Sequence, residues 1–285
     1  MKTLDTLIED IYSKLDGLSN GESLNISEED IDLALSGMKE SIMHWSQPSE
    51  RNKNFTLRMS NIGRPVRQLW FEKNDDSGQS VPSAATQIKF LYGHILEEIA
   101  LMLVRMAGHE VTDIQKEVNV DGILGHMDCK INGEVVDVKT ASKFSFNKFR
   151  NGTLAENDSF GYLSQLAGYE EAEGTSNGGF LVINKESGEL CLFRPEDHDK
   201  PKVVKKIKNI KHALDLDTPP EKCYDPIPDG KKGNMKLPTG CTFCAYKYKC
   251  HADANDGEGL RTFKYANGLA YLTKVVSTPN VDEVL

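Results

Sequence analysis

No stretch of this sequence approaches the roughly 18 consecutive apolar residues that a membrane-spanning helix requires. The first residues, MKTLDTLIEDIY, are acidic and amphipathic, so they also lack the apolar segment of a signal peptide. We therefore expect a cytoplasmic protein with no membrane partner. In that reducing compartment the six cysteines are expected to bind metal or to pack in the core rather than to form disulfides.

An excess of positive charge is also missing, because the chain carries a formal net charge of −9. Residues 1–50 hold three lysines against eleven acidic residues, so most of the acidity lies at the N-terminus. Between Lys200 and Cys250, by contrast, twelve lysines stand against five acidic residues. A basic segment of this kind can follow a phosphate backbone, although a lysine-rich helix face is as often merely solvated. The overall charge therefore does not exclude a nucleic-acid partner.

A chain of 285 residues with 39% hydrophobic residues can bury a substantial core. Two helices are predicted near the N-terminus, one over Leu4–Leu15 and one starting at Ser27, which forms a capping-box-like pair with Asp30. They could form a lid or a surface for a protein partner. A longer helix is predicted from Thr86 to Ala107, where Gly108 ends it.

The segment Gly125–Lys139, GHMDCKINGEVVDVK, predicts a β-hairpin because its Asn-Gly dipeptide favours a two-residue type I′ turn. Counting outward from that turn places Asp128 opposite Asp137 on one face of the hairpin. The two-residue repeat of a strand puts Lys139 on the same face. Because facing carboxylates repel each other, this arrangement indicates a hard divalent cation such as Mg²⁺ between them.

Three more polar side chains, carried by predicted helices, are candidates for the same site. Glu97 lies off the main apolar stripe of the long helix, where its carboxylate is expected to be partly desolvated and in need of a cation. The neighbouring Glu98 is the competing candidate. On a helix predicted over Tyr162–Glu173, Gln165 and Tyr169 are four residues apart and share a face.

Further strands and one basic helix are predicted after the central hairpin. Phe180–Asn184 and Glu189–Phe193 should form a second hairpin that completes a mixed sheet with helices on its faces. A lysine-rich helix should follow over Lys202–Leu214. Irregular segments are predicted from their polar, Gly-rich or Pro-rich composition at Ser46–Asn54, Asn74–Ser83 and Pro219–Pro238.

Cysteines close to the C-terminus are spaced as C-x₂-C-x₅-C, which is typical of a metal clip. Thiolate ligands select zinc or an iron–sulfur cluster, and four ligands close either site. The candidate ligands are Cys223, Cys241, Cys244 and Cys250. His251 is a substitute for the fourth ligand that would favour zinc. The two remaining cysteines, Cys129 and Cys191, are predicted to be small core residues.

Taken in order along the chain, these motifs resemble those of the PD-(D/E)XK nuclease superfamily, and within it the RecB-like branch. The Gly-His-Met-Asp ending at Asp128 and the Asp-Val-Lys starting at Asp137 look like its second and third motifs. Glu97 looks like the first motif, and the pair Gln165 and Tyr169 matches the RecB-type fourth. The resemblance covers about residues 58 to 251, and the ordered set is more specific than any one motif.

The cysteine spacing is similar to the iron–sulfur clasp of AddB-type and CRISPR-associated RecB-like exonucleases. Those relatives have their first cysteine before the nuclease core, whereas this chain has none before Cys129. The fourth ligand, and the choice between a [4Fe–4S] cluster and zinc, therefore stay open. At the position of Glu97 the RecB proteins have histidine, while phage exonucleases similar to the lambda enzyme have glutamate.

The resemblance implies an α/β fold with a central mixed β-sheet flanked by helices, that is, a restriction-endonuclease-like core. An N-terminal helical region would occupy residues 1–57 and the nuclease core residues 58–215. A cysteine–metal clip with a C-terminal tail would occupy residues 216–285. Residues 1–50 could dock a protein partner.

The same resemblance implies a Mg²⁺- or Mn²⁺-dependent deoxyribonuclease, with an exonuclease favoured, acting on single-stranded or duplex DNA ends in phage or mobile-element replication or recombination. Lys139 would orient or deprotonate the attacking water, and Gln165 and Tyr169 would position the strand or the lysine. The implied metal ligands are Glu97, Asp128, Asp137 and the Val138 carbonyl. The alternatives are a catalytically silent nucleic-acid-binding module and an RNA-directed or endonucleolytic subunit of a larger complex.

Overall fold

The computed structural model describes residues 2–47, 55–75 and 82–284. The chain divides into two compact units, the first comprising Met1–Gly63 and Pro82–Lys208 and the second Arg64–Val81 and Asn209–Leu285. The predicted irregular segments Ser46–Asn54 and Asn74–Ser83 fall largely outside the described residues. Within the described ranges, no helix combines the length and apolar character needed to cross a membrane.

Two helices open the first unit. After a 3₁₀ turn at Leu4–Thr6, α1 spans Leu7–Ser19 and α2 spans Glu28–Ser46. The predicted cap of α2 is confirmed, because the Ser27 hydroxyl oxygen accepts a hydrogen bond of 3.0 Å from the Asp30 backbone N–H. The same hydroxyl donates to Oδ2 of Asp30 at 2.7 Å, so both groups satisfy each other at the helix start.

The predicted long helix is also confirmed. In the second unit α3 spans Val66–Asn74, and in the first unit α4 spans Ala84–Met106. The Ser83 side chain caps α4, and Gly108 follows its end with a φ of 81°, a left-handed conformation that glycine adopts without steric cost. The C-terminal half of α4 packs into the main core and carries Glu97 about midway along its length.

The central sheet of the first unit has five strands in the order β1-β4-β5-β6-β7. The strands β5 and β6 run parallel while every other neighbouring pair is antiparallel, so the predicted mixed sheet is confirmed. A separate antiparallel pair, β2 and β3, precedes the central hairpin. The strands of this unit are β1 (Val111–Thr112), β2 (Lys116–Val120), β3 (Ile123–Met127), β4 (Cys129–Ile131), β5 (Glu134–Ala141), β6 (Gly179–Asn184) and β7 (Leu190–Phe193).

The hairpin of β4 and β5 has the predicted register, with Ile131 opposite Glu134 and Cys129 opposite Val136. The turn residues Asn132 and Gly133 both have positive φ, 50° and 83°, as a type I′ turn requires. The ladder ends at Cys129, so the direct cross-strand pair expected between the two aspartates is not formed. Asp128 instead lies one residue before β4 and reaches β5 through its side chain, as described below.

Helices cover the sheet, and a continuous apolar core lies between them. The remaining long helices are α5 (Lys143–Arg150), α6 (Tyr162–Glu173) and α7 (Val203–Leu214). The core joins α1 and α4 to the sheet strands, with Leu7, Leu101, Val136 and Leu181 among its fully buried members. Cys129 belongs to this core and Cys191 is buried in β7, as predicted for both. One face of the sheet is therefore closed by N-terminal helices.

The second unit contains a five-stranded sheet in the order β12-β10-β11-β9-β8, which the sequence did not predict. Two of its strands, β8 (Ile227–Asp229) and β9 (Asn234–Lys236), fall in the segment expected to be irregular, so that expectation is wrong. The others are β10 (Arg261–Tyr265), β11 (Gly268–Lys274) and β12 (Glu283–Val284). Three short helical turns lie between β9 and β10: α8 (Thr239–Thr242), α9 (Lys247–Cys250) and α10 (Ala254–Gly257).

Candidate active site

The hairpin brings together the two aspartates and the lysine singled out from the sequence. Nζ of Lys139 lies 2.5 Å from Oδ2 of Asp137, and Asp137 is fully buried. The Asp128 side chain accepts a hydrogen bond of 2.7 Å at Oδ2 from the Val138 backbone N–H. Both carboxylates therefore lie at the middle of β5. Asp137 is part of that strand, and Asp128 is hydrogen-bonded to the backbone of Val138, the next residue of the strand.

Asp137 is the least satisfied polar side chain of this site. Among the described residues, the buried side-chain nitrogen and oxygen atoms that lack a hydrogen-bond partner are Nη1 of Arg105 and both carboxylate oxygens of Asp137. Its Oδ2 is ion-paired with Nζ of Lys139, so Oδ1 is the carboxylate oxygen that has no polar partner at all in the described part of the chain. Leaving carboxylate oxygens unsatisfied in the interior is costly, so this group is suited to accept a cation.

Helix α4 supplies the third carboxylate. The charges of Asp128 and Asp137 act on Glu97, whereas the Glu98 carboxylate lies against Gly37 of α2, where an added Cβ would be 2.3 Å from it. Glu97 is therefore the α4 carboxylate that joins the site.

Gln115, which the sequence reasoning missed, connects Glu97 to Asp128. Its side-chain Nε2 donates to Oε1 of Glu97 at 2.9 Å, and its backbone N–H donates to the Asp128 carbonyl at 3.0 Å. Gln115 has a φ of 51°, a left-handed conformation that is uncommon for a residue with a side chain. Nothing in the local sequence marks it, because its role depends on a helix and a loop that only the tertiary structure brings together.

Burial and mutual repulsion raise the pKa values of the three carboxyls. Burial, followed by the charges of Asp128, Glu98 and Asp137, raises the pKa of Glu97 to about 8. Burial and the charge of Asp137 raise the pKa of Asp128 to about 7, although Lys139 opposes this. Burial also raises the pKa of Asp137, again against Lys139. Three crowded carboxylates with one cation among them carry more negative charge than the site can neutralise.

The ammonium of Lys139 behaves in the opposite way. Burial by itself would lower the pKa of Lys139, but the charges of Asp137 and Asp128 outweigh that effect and raise the pKa above its ordinary value. Lys139 therefore stays protonated at neutral pH. Its Nζ also lies 5.2 Å from the centre of the Tyr162 ring, a cation–π contact that helps to hold it in place.

The two side chains predicted on α6 contact each other, and the charges of the aspartates act on one of them. Nε2 of Gln165 donates to the hydroxyl of Tyr169 at 2.8 Å. Burial and then the charge of Asp137 raise the pKa of the Tyr169 phenol, so it keeps its proton. Tyr169 also packs against the start of the hairpin, since an added Cβ on Gly125 would be 3.2 Å from its ring. The six residues predicted for catalysis thus fall in one region of the first unit.

The donor set of this site is made of hard oxygen ligands, which suit Mg²⁺ or Mn²⁺. In an extended strand the N–H and C=O of one residue point to the same side, so the Val138 carbonyl points toward the side occupied by Asp128. As the side chains stand, no group of three or more His, Cys, Asp or Glu within residues 2–47, 55–75 and 82–284 is already arranged as a set of metal ligands. The chemistry and the unsatisfied oxygens of Asp137 fit a divalent cation, although a ligand set is not preformed.

The four cysteines predicted to bind a cofactor line one cavity in the second unit, together with His251 and Arg67. Nε of Arg67 donates to Sγ of Cys250 at 3.1 Å. Burial, followed by the charges of Cys250, Cys223 and Cys244, raises the pKa of Cys241 to about 12. The predicted metal clip is not shown, because these thiols are not arranged as a ligand set in the described part of the chain.

The chain matches no protein-family model and no curated protein. Among solved structures, it is similar to the crystal structure of SSO0001 at 18% identity and a TM-score of 0.38, covering 77% of this chain and 94% of that one. An alkaline exonuclease, LHK-Exo from Laribacter hongkongensis, is similar at 12% identity and a TM-score of 0.41, with 60% and 92% coverage. The same enzyme in complex with dAMP gives 11% identity, a TM-score of 0.37, and 57% and 91% coverage. At such low TM-scores these likenesses establish neither the fold nor the activity of this chain.

Proposed function

We propose that this protein is a divalent-metal-dependent nuclease that hydrolyses phosphodiester bonds in DNA. The observation that carries the proposal is the buried Asp137 carboxylate, whose oxygens lack hydrogen-bond partners beside two more carboxylates and one lysine. A cluster of carboxylate oxygens that can accept a cation, next to a permanently charged ammonium, is what hydrolysis of a phosphate ester needs.

Asp128, Asp137, the Val138 carbonyl and Glu97 would hold one or two Mg²⁺ or Mn²⁺ ions. The bound ion supplies Lewis-acid activation of the phosphate and of the attacking water. The raised pKa values of Glu97 and Asp128 mean that these carboxyls give up protons as the ion binds. The metal-loaded site should therefore form more readily at alkaline than at acidic pH.

The protein side chains supply the remaining steps. Lys139, ion-paired with Asp137, would orient or deprotonate the attacking water and oppose the charge building up on the phosphate. Gln165 and Tyr169 form a hydrogen-bonded pair that can donate to the DNA backbone near the scissile bond. Gln115 holds Glu97 in place relative to Asp128.

The cavity of the second unit is proposed to bind a [4Fe–4S] cluster through Cys223, Cys241, Cys244 and Cys250, with zinc as the alternative. In support, all four thiols line one cavity, and the Arg67 guanidinium next to Cys250 would stabilise a thiolate. Absorption in the visible range by the purified protein, with iron and sulfide in equal amounts, would support the cluster. Colourless protein containing zinc would favour the alternative.

Contact with the DNA backbone is proposed for three exposed lysines: Lys202, which directly precedes α7, and Lys205 and Lys208 within that helix. Other lysines of the basic segment are already paired, such as Lys200 with Glu170 and Lys249 with Asp75. Residues 1–50 remain a candidate surface for a protein partner, and a cytoplasmic role in phage or mobile-element DNA metabolism remains part of the proposal.

The test is a digest of end-labelled linear and circular DNA, single-stranded and duplex, with and without Mg²⁺. We expect Mg²⁺-dependent loss of label from linear DNA, and none in Asp137→Asn, whose side chain keeps its shape but not its charge. Glu117→Gln, an exposed carboxylate on β2, is the matched control and should retain full activity. Full activity in Asp137→Asn would refute the proposed site. Cleavage of circular DNA would indicate an endonuclease, and binding without cleavage would indicate a silent module.

A further inference from the structure

Phe160 is a large apolar residue whose side chain is exposed to solvent. Its side chain is 61% exposed, although it belongs to the segment that leads into α6 beside the candidate site. An exposed phenylalanine forgoes the stabilisation that burial of its ring would give. On a mobile surface loop such a residue needs no functional explanation. On a loop that is held in one conformation, it points to a role for the exposed ring.

The loop that carries Phe160 is held in one conformation. Oδ1 of Asp158 accepts hydrogen bonds from the backbone N–H groups of Gly161 and Tyr162, at 2.9 and 3.0 Å, and its Oδ2 accepts one from Leu163 at 2.9 Å. Gly161 has a φ of 77°, and a Cβ there would be 2.2 Å from the Cα of Gly63. Both the conformation and the close backbone approach therefore require glycine next to Phe160.

Phe160 extends an aromatic stack that begins at the candidate site. Its ring stacks on Tyr162 with centroids 5.5 Å apart and planes inclined by 26°. The Tyr162 ring in turn lies 5.2 Å from Nζ of Lys139. Phe160 therefore covers one face of the Tyr162 ring. The contacts that lead from Lys139 through Tyr162 end at Phe160, whose ring is exposed.

We propose that Phe160 is a base-stacking platform for a single-stranded segment of the DNA substrate. Aromatic side chains bind single strands by stacking on bases whatever their sequence, because every base has a π-face. Contacts of 5.5 and 5.2 Å through Tyr162 connect the Phe160 ring to Nζ of Lys139, and their sum is the upper limit of the separation. That limit corresponds to at most about three nucleotides at the stacked spacing of roughly 3.4 Å. Phe160 therefore stacks on a base within about three nucleotides of the bond that is cleaved.

This inference rests on the proposed function, since it takes Lys139 as the position of the scissile phosphate. It goes beyond it by assigning a strand-binding residue outside the carboxylate cluster and by predicting unpaired substrate at the site. Phe160 is not a catalytic residue, because stacking on a neighbouring base leaves the reacting atoms untouched. Its loss should raise KM and leave kcat nearly unchanged.

The experiment measures binding of a fluorescein-labelled single-stranded oligodeoxynucleotide by anisotropy, in an Asp137→Asn background that cannot cleave. Phe160→Ala should raise Kd about 5- to 150-fold, the range expected for one stacked base. Phe160→Trp should restore the wild-type Kd, while Phe160→Leu, which is apolar but has no π-face, should resemble alanine. Phe144→Ala is the matched control, because Phe144 is exposed to 72% but contacts Lys148 rather than the stack.

An abasic residue placed at each position of the oligonucleotide in turn identifies the stacked base. At one position the effects of base removal and of Phe160→Ala should be non-additive, because both remove the same contact. Additive effects at every position, or a Kd for Phe160→Ala equal to that of Phe144→Ala, would overturn the inference. If the unmodified protein cleaves DNA normally but Phe160 has no effect, only this inference fails. If Phe160 contributes to binding but no cleavage occurs with Mg²⁺, only the proposed function fails.

Discussion

The backbone N–H of Val138 donates a hydrogen bond of 2.7 Å to Oδ2 of Asp128. This bond ties the segment before β4 to the middle of β5, beyond the end of their ladder. It holds a second, buried carboxylate beside Asp137, and burial followed by the charge of Asp137 raises the pKa of Asp128, although the hydrogen bond from Val138 opposes that rise. The neighbouring carboxylates are suited to bind a cation. Without a cation, their repulsion destabilises the folded protein.

The first prediction concerns pH and stability. Because the folded-state pKa values of Glu97 and Asp128 are about 8 and about 7, the folded protein binds more protons than the unfolded chain between about pH 4 and pH 8. The contribution of these two carboxyls to stability in metal-free buffer should therefore fall as the pH rises through that window, whereas the lowered pKa values of His94, His109 and His251 act in the opposite direction. The raised pKa of Lys139 adds no dependence there, since its contribution is lost only above the ordinary lysine value.

Asp128→Asn removes one of the repelling charges but keeps an oxygen that can accept from Val138. At pH 8 it should raise the free energy of unfolding by about 1 kcal/mol or more, given about 1.4 kcal/mol per pKa unit, and at pH 5 by much less. Urea unfolding of metal-free protein at both pH values measures this, with Glu117→Gln as the exposed control. An equal effect at the two pH values would contradict the charge explanation.

The second prediction separates Lys139 from the metal ligands. Lys139→Ala should lower kcat for DNA hydrolysis by at least about 100-fold, because in the proposed mechanism Lys139 supplies the positive charge that stabilises the transition state. Binding of Mn²⁺, followed by calorimetry, should persist. Lys185→Ala, an exposed lysine that follows β6, should leave kcat unchanged. Loss of metal binding together with activity would instead assign Lys139 a structural role.

The third prediction addresses a buried ion pair between Lys200 and Glu170, whose side chains are only 6% and 4% exposed. Oε1 of Glu170 accepts from Nζ of Lys200 at 2.9 Å and from the Gly178 backbone N–H at 2.7 Å. Glu170→Gln removes the buried counter-charge of Lys200 and leaves only the exposed Asp197 carboxylate, 3.2 Å from Nζ, so it should destabilise the protein by up to about 3 to 5 kcal/mol in urea unfolding.

The exposed neighbour Glu171→Gln should change stability by less than about 0.5 kcal/mol. The double variant Glu170→Gln/Lys200→Met should recover part of the loss, because no charge is then buried alone. A double variant that is less stable than Glu170→Gln would show that the lysine stabilises the fold by other contacts.

The fourth prediction concerns the cysteine cavity. Cys244→Ser should lower the iron or zinc content of the purified protein and reduce its thermal stability, because metal bound to the folded state alone stabilises it. Cys191→Ser, a buried cysteine of β7 that does not line the cavity, should leave the metal content unchanged. Elemental analysis provides the measurement. Wild-type protein without iron or zinc after metal-replete expression would refute the clip.

The fifth prediction concerns salt. A triple variant in which Lys202, Lys205 and Lys208 are all replaced by alanine should bind DNA more weakly, and equally so for all sequences. The slope of log Kd against log salt concentration should decrease by about 0.9 for each phosphate that is no longer neutralised. A control triple replacement of the exposed Lys14, Lys39 and Lys89 removes the same charge from other helices. An equal decrease in slope for both variants would indicate net charge rather than direct binding to phosphate.

Several elements follow from local sequence alone. The register of the central hairpin depends on an Asn-Gly turn and on two-residue alternation, and the cap of α2 depends on two residues three positions apart. Such features act over short distances, so each is encoded where it occurs. The order of the motifs along the chain likewise led to Asp128, Asp137, Lys139, Gln165 and Tyr169 as candidates, with Glu97 favoured over its neighbour Glu98.

Other features were decided by contacts between distant parts of the chain. Gln115 joins Glu97 to Asp128, and Glu97 rather than Glu98 enters the site, because of how α4 packs on the sheet and on α2. The second sheet escaped prediction because β8 and β9 have only three residues each, too few to show a periodic pattern. These two strands pair with each other, and only the pairing of β9 with β11, more than 30 residues further along the chain, joins them to the rest of the sheet. The sequence by itself determined which residue types the site contains. The tertiary structure decided their distances, their burial and therefore their charges, because desolvation and Coulomb interaction depend on position in space and not on order along the chain.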